Sequence, residues 1–120
     1  MNYKIKYQVQ YSDVFKRRIK KLVKKYPHIK KDLSELLDDL EQGIFKGDKL
    51  QGYPGEVYKI RLASSDQKKG KQGGFRAVYI VVTTHETVYL TEIYPKAKQE
   101  DLIEKQKQLI KAFLDKLRQY

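Results

Sequence analysis

Apolar and polar residues alternate from Tyr3 through Ile5, Tyr7 and Val9, with Lys4, Lys6 and Gln8 between them, the two-residue period of a half-buried strand. At Ser12 the period lengthens. Phe15, Ile19, Leu22, Val23 and Tyr26 recur at three- and four-residue steps behind a serine able to cap, which predicts a helix stopped by Pro27. A second helix places Ile29, Leu33, Leu36, Leu37 and Leu40 on one stripe, with Asp32, Glu35, Asp38, Asp39 and Glu41 outside, and ends at Gly43. The two helices form a hairpin across a proline turn. Residues 45–55 are rich in turn formers and read as a loop. Residues 57–63, 75–83 and 87–94 are rich in β-branched and aromatic side chains and read as strands, the last two linked as a hairpin by Thr84, His85 and Glu86. From about Asp101 an amphipathic helix runs to the end on Leu102, Ile103, Leu109, Ile110, Phe113, Leu114 and Leu117, with Asp101 and Glu104 spaced as a capping box. The order β-α-α-β-β-β-α predicts one α+β domain over residues 1–120, a mainly antiparallel sheet with an N-terminal helical hairpin and a C-terminal helix.

Charge sharpens this picture. Lys59 and Arg61 alternate with Tyr58, Ile60 and Leu62, so the two cations share one face of their strand, and Arg76 heads the next strand. Like charges on one face repel, which points to an anion held over it. The chain has 26 Lys and Arg against 15 Asp and Glu, a net charge of +11. The imbalance is polarised: residues 1–31 hold eleven cations and one acid, residues 32–58 seven acids and two cations. A polyanion such as nucleic acid fits that pattern better than uniform supercharging. Seven cations between Lys16 and Lys25, with no acid among them, suit a nucleic acid or an acidic protein segment.

Cysteine is absent, which excludes disulfides and thiolate metal sites and is compatible with a cytoplasmic setting. The longest apolar run, 77–82, is far too short to cross a bilayer, and the polar alternation at the start is not a secretory signal. His28 and His85 are isolated and lack metal-ligand spacing. The carboxylates of the second helix lie on its solvent face rather than across a cleft, and no phosphate loop, dinucleotide fingerprint or nucleophile motif occurs. No metal and no cofactor are expected.

Cleaving RNA without a metal needs a base for the 2′-hydroxyl, cations for the phosphorane charge and a proton donor for the departing 5′-oxygen. Arg76 suits the second role, since a guanidinium holds two phosphate oxygens in one plane. Lys59 is the candidate base because neighbouring Arg61 and Arg76 disfavour its charged form. Arg61 can share the phosphate or stand nearest the leaving oxygen. The plain alternative for all three is a row of solvated strand cations.

The segment DKLQGYPGEVYKIRLASSDQKKGKQGGFRAVYIVV, followed by VYLTEIYPKAKQEDL, resembles the RelE superfamily of toxins from bacterial toxin-antitoxin modules. The match is densest from Lys49 to Leu102, and its glycine- and lysine-rich loop and lysine turn are closer to the RelE and HigB-like branch than to ParE. The resemblance implies a ribosome-dependent mRNA endoribonuclease that inhibits translation, acts without metal on mRNA in the ribosome, and is silenced by a cognate antitoxin. Lys59, Arg61 and Arg76 fall at positions similar to the family's basic catalytic groups. The archetype carries a further arginine after the last strand and a tyrosine farther on. Here that turn reads Tyr94-Pro95-Lys96-Ala97-Lys98, and the tyrosine position falls near Leu102.

Tyr94 is thus either a phenol at the site or a packing residue. Lys96 and Lys98, ahead of a helix N-terminus, either hold phosphate or are neutralised by Glu100, Asp101 and Glu104. Lys68, Lys69 and Lys71 with Gly70, Gly73 and Gly74 form either an RNA- and ribosome-contacting loop or a solvated hairpin tip. Two other functions compete with the nuclease: a ParE-like inhibitor of DNA gyrase, and a non-catalytic RNA-binding domain of decayed toxin type.

Overall fold

The computed structural model describes residues 6–67, 70 and 73–118. Its elements are β1 (Gln8–Tyr11), α1 (Asp13–Leu22), α2 (Ile29–Glu41), β2 (Asp48–Lys49), β3 (Glu56–Leu62), β4 (Phe75–Val82), β5 (Thr87–Pro95) and α3 (Glu104–Leu117), with a 3-10 turn Thr83–His85 between β4 and β5. The five strands form one sheet in the order β1-β5-β4-β3-β2. β1 runs parallel to β5, the helical hairpin carries the chain from β1 to β2 at the opposite edge, and the other pairings are antiparallel.

Local chemistry accounts for the helix ends. Ser12 Oγ accepts from Phe15 N at 3.1 Å, the expected cap of α1. α2 stops where Gly43 turns into the left-handed region at φ 76°. Phe15, Ile19, Ile29, Leu33, Leu36 and Leu40 then pack on one face of the sheet, against Leu62, Phe75, Ala77, Tyr79, Val81, Val88, Leu90 and Ile93. α3 covers the other face, where Ile110 and Leu114 meet Val57, Val78, Ile80, Tyr94 and Leu102. β4, central and covered on both sides, is buried from Phe75 to Val81, which is why its sequence is a continuous apolar run broken only by Arg76.

Three expectations are corrected. The loop read over 45–55 contains β2, whose Asp48 and Lys49 pair with Lys59 and Tyr58. Two residues are too few to carry a period. The first strand read from Tyr3 to Val9 is described as Gln8–Tyr11, and residues 1–5 lie outside the described residues. Asp101 and Glu104 do not form a capping box, because α3 starts at Glu104; instead Gln106 Oε1 accepts from Ile103 N at 3.1 Å.

A β-bulge between β4 and β5 has the largest consequence. Val78 pairs with Glu92 and Tyr79 with Leu90, leaving Thr91 over, its Oγ1 donating to the Val78 carbonyl at 3.2 Å. Before the bulge Val88 and Leu90 face α1 and α2 while Tyr89 meets Phe113 of α3. After it Ile93 faces the helical hairpin and Tyr94 faces α3. One extra residue has exchanged the faces of odd and even positions.

Candidate functional site

The strand cations are where the alternation predicts them. Tyr58, Ile60 and Leu62 pack against the helical hairpin, which leaves Lys59 and Arg61 on the α3 side. In the sheet register Arg61 lies opposite Arg76, and Arg76 lies opposite Tyr94. Arg61, Arg76 and Tyr94 therefore form a row across three neighbouring strands, with Lys59 one step along β3.

Arg76 is only 5 % exposed, and its guanidinium donates to the carbonyls of Gly73 at 3.2 Å and Phe75 at 3.1 Å. Burial holds its pKa below the usual arginine value, Arg61's charge adds to this, and Tyr94 opposes it. The guanidinium keeps its charge throughout the working range. Among the described residues Arg61 has no ion pair. Tyr94 is 2 % exposed, and its hydroxyl finds no hydrogen-bond partner among the described residues. Burial first, and then the Asp101 charge, push its phenol up to about 12, against a smaller lowering by Arg76. A buried O–H with an unspent bond, next to the Arg76 guanidinium, is an exception among buried polar groups.

Lys59 departs from its expected surroundings. Its nearest charged group is a carboxylate, Asp101 Oδ1 at 3.0 Å, rather than the neighbouring arginines. The same oxygen accepts from Leu102 N at 2.8 Å, and these two donors hold the Asp101 carboxyl below the usual carboxylate range. Asp101 was expected as a helix cap; no local signal marks it as Lys59's partner, because the two lie on different elements 42 residues apart.

The turn after β5 is tied down through its backbone, Lys96 N donating to the Gly74 carbonyl at 3.0 Å. Lys96 Nζ pairs with Glu100 at 3.0 Å, while Lys98 is exposed without an ion pair among the described residues. Gly73 and Gly74 act through their carbonyls, on Arg76 and Lys96. At Gly74, φ is +37° and a Cβ would collide with the Leu62 carbonyl oxygen, so glycine is required for β4 to start beside β3. Lys68, Lys69 and Lys71 lie outside the described residues. The root of their loop is fastened to the helical hairpin: Asp32 accepts from Ser65, and Asp66 accepts from His28 N at 3.0 Å.

Behind the site Glu92, fully buried, accepts from Arg18 of α1 at 2.9 and 3.1 Å and from Gln106 of α3 at 3.4 Å. Gln106 in turn accepts from Gln99 at 2.7 Å, and Gln99 donates to the Asp101 carbonyl at 2.8 Å. A chain of hydrogen bonds thus runs from the buried carboxylate to the residue that grips Lys59.

The family model for the RelE toxin of the RelE/RelB toxin-antitoxin system matches residues 12–120, nearly the whole chain. This chain belongs to the RelE toxin family. Solved structures carry the same fold. Isolated Escherichia coli RelE is 22 % identical, with 89 % of this chain and 98 % of that one covered at a TM-score of 0.52. The RelBE2 toxin-antitoxin complex of Mycobacterium tuberculosis gives 18 % identity, coverage of 81 % and 99 %, and a TM-score of 0.56. A double arginine-to-alanine mutant of E. coli RelE, bound to an antitoxin RelBc peptide, gives 27 % identity, coverage of 72 % and 80 %, and a TM-score of 0.50. The α+β class expected from the periodicity is the RelE fold. Among the described residues, no helix is long and apolar enough to cross a membrane and no cluster of side chains suits a metal ion.

Proposed function

We propose that this RelE-family toxin is a metal-independent endoribonuclease that cuts mRNA on the translating ribosome, in the cytoplasm, and that a cognate antitoxin silences it. The observation that carries this reading is the row Arg61, Arg76 and Tyr94, two guanidiniums and an unpartnered buried phenol on one face, with Lys59 beside them.

The scissile phosphate lies over the two arginines, which gain most when its charge grows toward the phosphorane. Lys59 acts as the base: once its ammonium has given a proton to water, the neutral amine takes the proton of the 2′-hydroxyl. The 2′-oxygen bonds to phosphorus, the bond from phosphorus to the 5′-oxygen breaks, and that oxygen takes the Tyr94 proton. The products are a 2′,3′-cyclic phosphate and a free 5′-hydroxyl. Tyr94, with its pKa near 12, is fully protonated at neutral pH and so is a donor at rest.

A cationic face of this kind suits an antitoxin bearing acidic side chains, in line with the antitoxin-bound relatives. The lysines of residues 68–71, with Lys98 and the basic face of α1, supply sequence-independent contacts to ribosomal RNA or mRNA.

Primer extension on a defined mRNA, translated in a purified bacterial system with wild type or Arg76→Ala, tests the reading. Cuts at ribosome-occupied codons that vanish in the variant are expected. Intact mRNA with the wild-type protein would overturn it and turn attention to gyrase inhibition or simple RNA binding.

A further inference from the structure

A cleft of about 280 Å³ opens beside Lys59, between the turn that follows β2 and the exposed side of α3. Tyr53 and Gly52 form one wall, Lys107 and Lys111 the other, and Lys59 with Asp101 closes the end toward the strand cations. Lys107 and Lys111 are one helical turn apart, a like-charge spacing that weakens a helix unless an anion is shared. Among the described residues neither makes an ion pair, although Glu104 and Asp115 lie on the same helix. The Asp101 carboxylate is held by Lys59 and Leu102 N; it feels the charge of Lys107 but forms no ion pair with either lysine. Its charge repels an anion from the inner end of the cleft and leaves the lysine wall as the place for one. Tyr53 is half-buried, and burial followed by the charges of Glu104 and Asp101 raises its pKa, so the ring stays a neutral stacking surface. The volume lies near the lower limit of small-ligand pockets, roughly 300 Å³, which suits one nucleotide unit.

We infer that this cleft is a second RNA subsite, which takes the nucleotide next to the cleaved bond, its phosphate on Lys107 and Lys111 and its base against Tyr53. The inference rests on the nuclease reading of the Lys59 site and extends the RNA path along α3. None of these three residues takes part in the bond-breaking step, so the subsite governs affinity and the register of the message. An aromatic face opposite two lysines selects a flexible single strand over a duplex, whose bases are stacked away.

The test is cleavage of mRNA on programmed ribosomes, read as the toxin concentration giving half-maximal rate. Wild type and Lys107→Gln/Lys111→Gln are compared on natural mRNA and on mRNA with an uncharged methylphosphonate at one or the other phosphate flanking the cut. Each change alone should raise half-saturation about tenfold, and on one side of the cut the two together should cost no more than either alone, the mark of direct coupling. The double variant should also flatten the log-log salt dependence by about 0.7, for one single-strand phosphate shared by the two lysines. Lys105→Gln, on the exposed helix surface, controls for general loss of charge. If both methylphosphonates weaken wild type and double variant equally, the subsite is overturned while the nuclease reading stands, provided Arg76→Ala still abolishes cutting. If the wild-type protein cuts nothing, both fall together.

Discussion

Arg61 and Arg76 are directly opposed across β3 and β4, two guanidiniums on the same face of the sheet. Opposed like charges destabilise a pair of strands. Arg61→Ala should therefore raise the melting temperature at low salt, with the gain shrinking as salt screens the pair, while cleavage falls. A lowered melting temperature at low salt would count against the repulsion. Arg76→Ala should lower cleavage by about 10²–10³-fold, the cost of removing one preorganised donor, and Arg76→Lys should not restore it.

Tyr94→Phe should separate stability from activity. Removing a buried hydroxyl that has no partner relieves a desolvation cost of about 1–3 kcal/mol, so the variant should be at least as stable as wild type in urea unfolding. Its cleavage rate should fall because the departing oxygen loses its proton donor. A clear loss of stability would mean that the hydroxyl is already satisfied.

Arg18→Met should be destabilising, because Glu92 would be left fully buried without a counter-charge. Breaking a buried pair costs about 3–5 kcal/mol, and the partial exposure of Arg18 reduces this to about 2 kcal/mol. Adding Glu92→Leu should recover most of the loss, and a double-mutant cycle by urea unfolding measures the coupling. If the two losses simply add, the pair is not the link between α1 and β5 described above.

Acid should loosen two tethers at once. The folded-state pKa values of Asp101 and Asp66 are depressed, Asp101 by the Leu102 N–H and Lys59, Asp66 by His28. A depressed carboxylate stabilises the fold fully above its unfolded value, about 3.9, and loses that contribution as pH falls through the lower folded value. Melting temperatures measured from pH 6 down to pH 2 should decline more steeply for wild type than for Asp66→Asn/Asp101→Asn. Parallel curves would remove these tethers from the acid response.

Periodicity alone placed both helices of the hairpin, α3 and the three long strands, because burying one face imposes a repeat on the residues themselves. Lys59 and Arg61 were legible for the same reason. β2 was not, being too short to carry a period, nor was the Lys59–Asp101 pair, which joins elements with no sequence relation. In the sequence Gly73 and Gly74 read as loop formers near phosphate. Their observed work is steric and backbone-directed: Gly74 lets β4 approach Leu62, and both carbonyls brace the site.

Tyr94 marks the boundary between the two kinds of information. The order of residues determined that β5 would alternate, that β3 would turn its cations to one side, and that Arg76 would head a buried strand. Only the tertiary structure decided that the α3 face of β5 carries Tyr94 at the level of Arg76. That placement depends on Thr91 being left over against β4, and a bulge is a property of the register between two strands rather than of either alone. The order β1-β5-β4-β3-β2 then sets Arg61, Arg76 and Tyr94 side by side, a juxtaposition that no spacing along the chain contains.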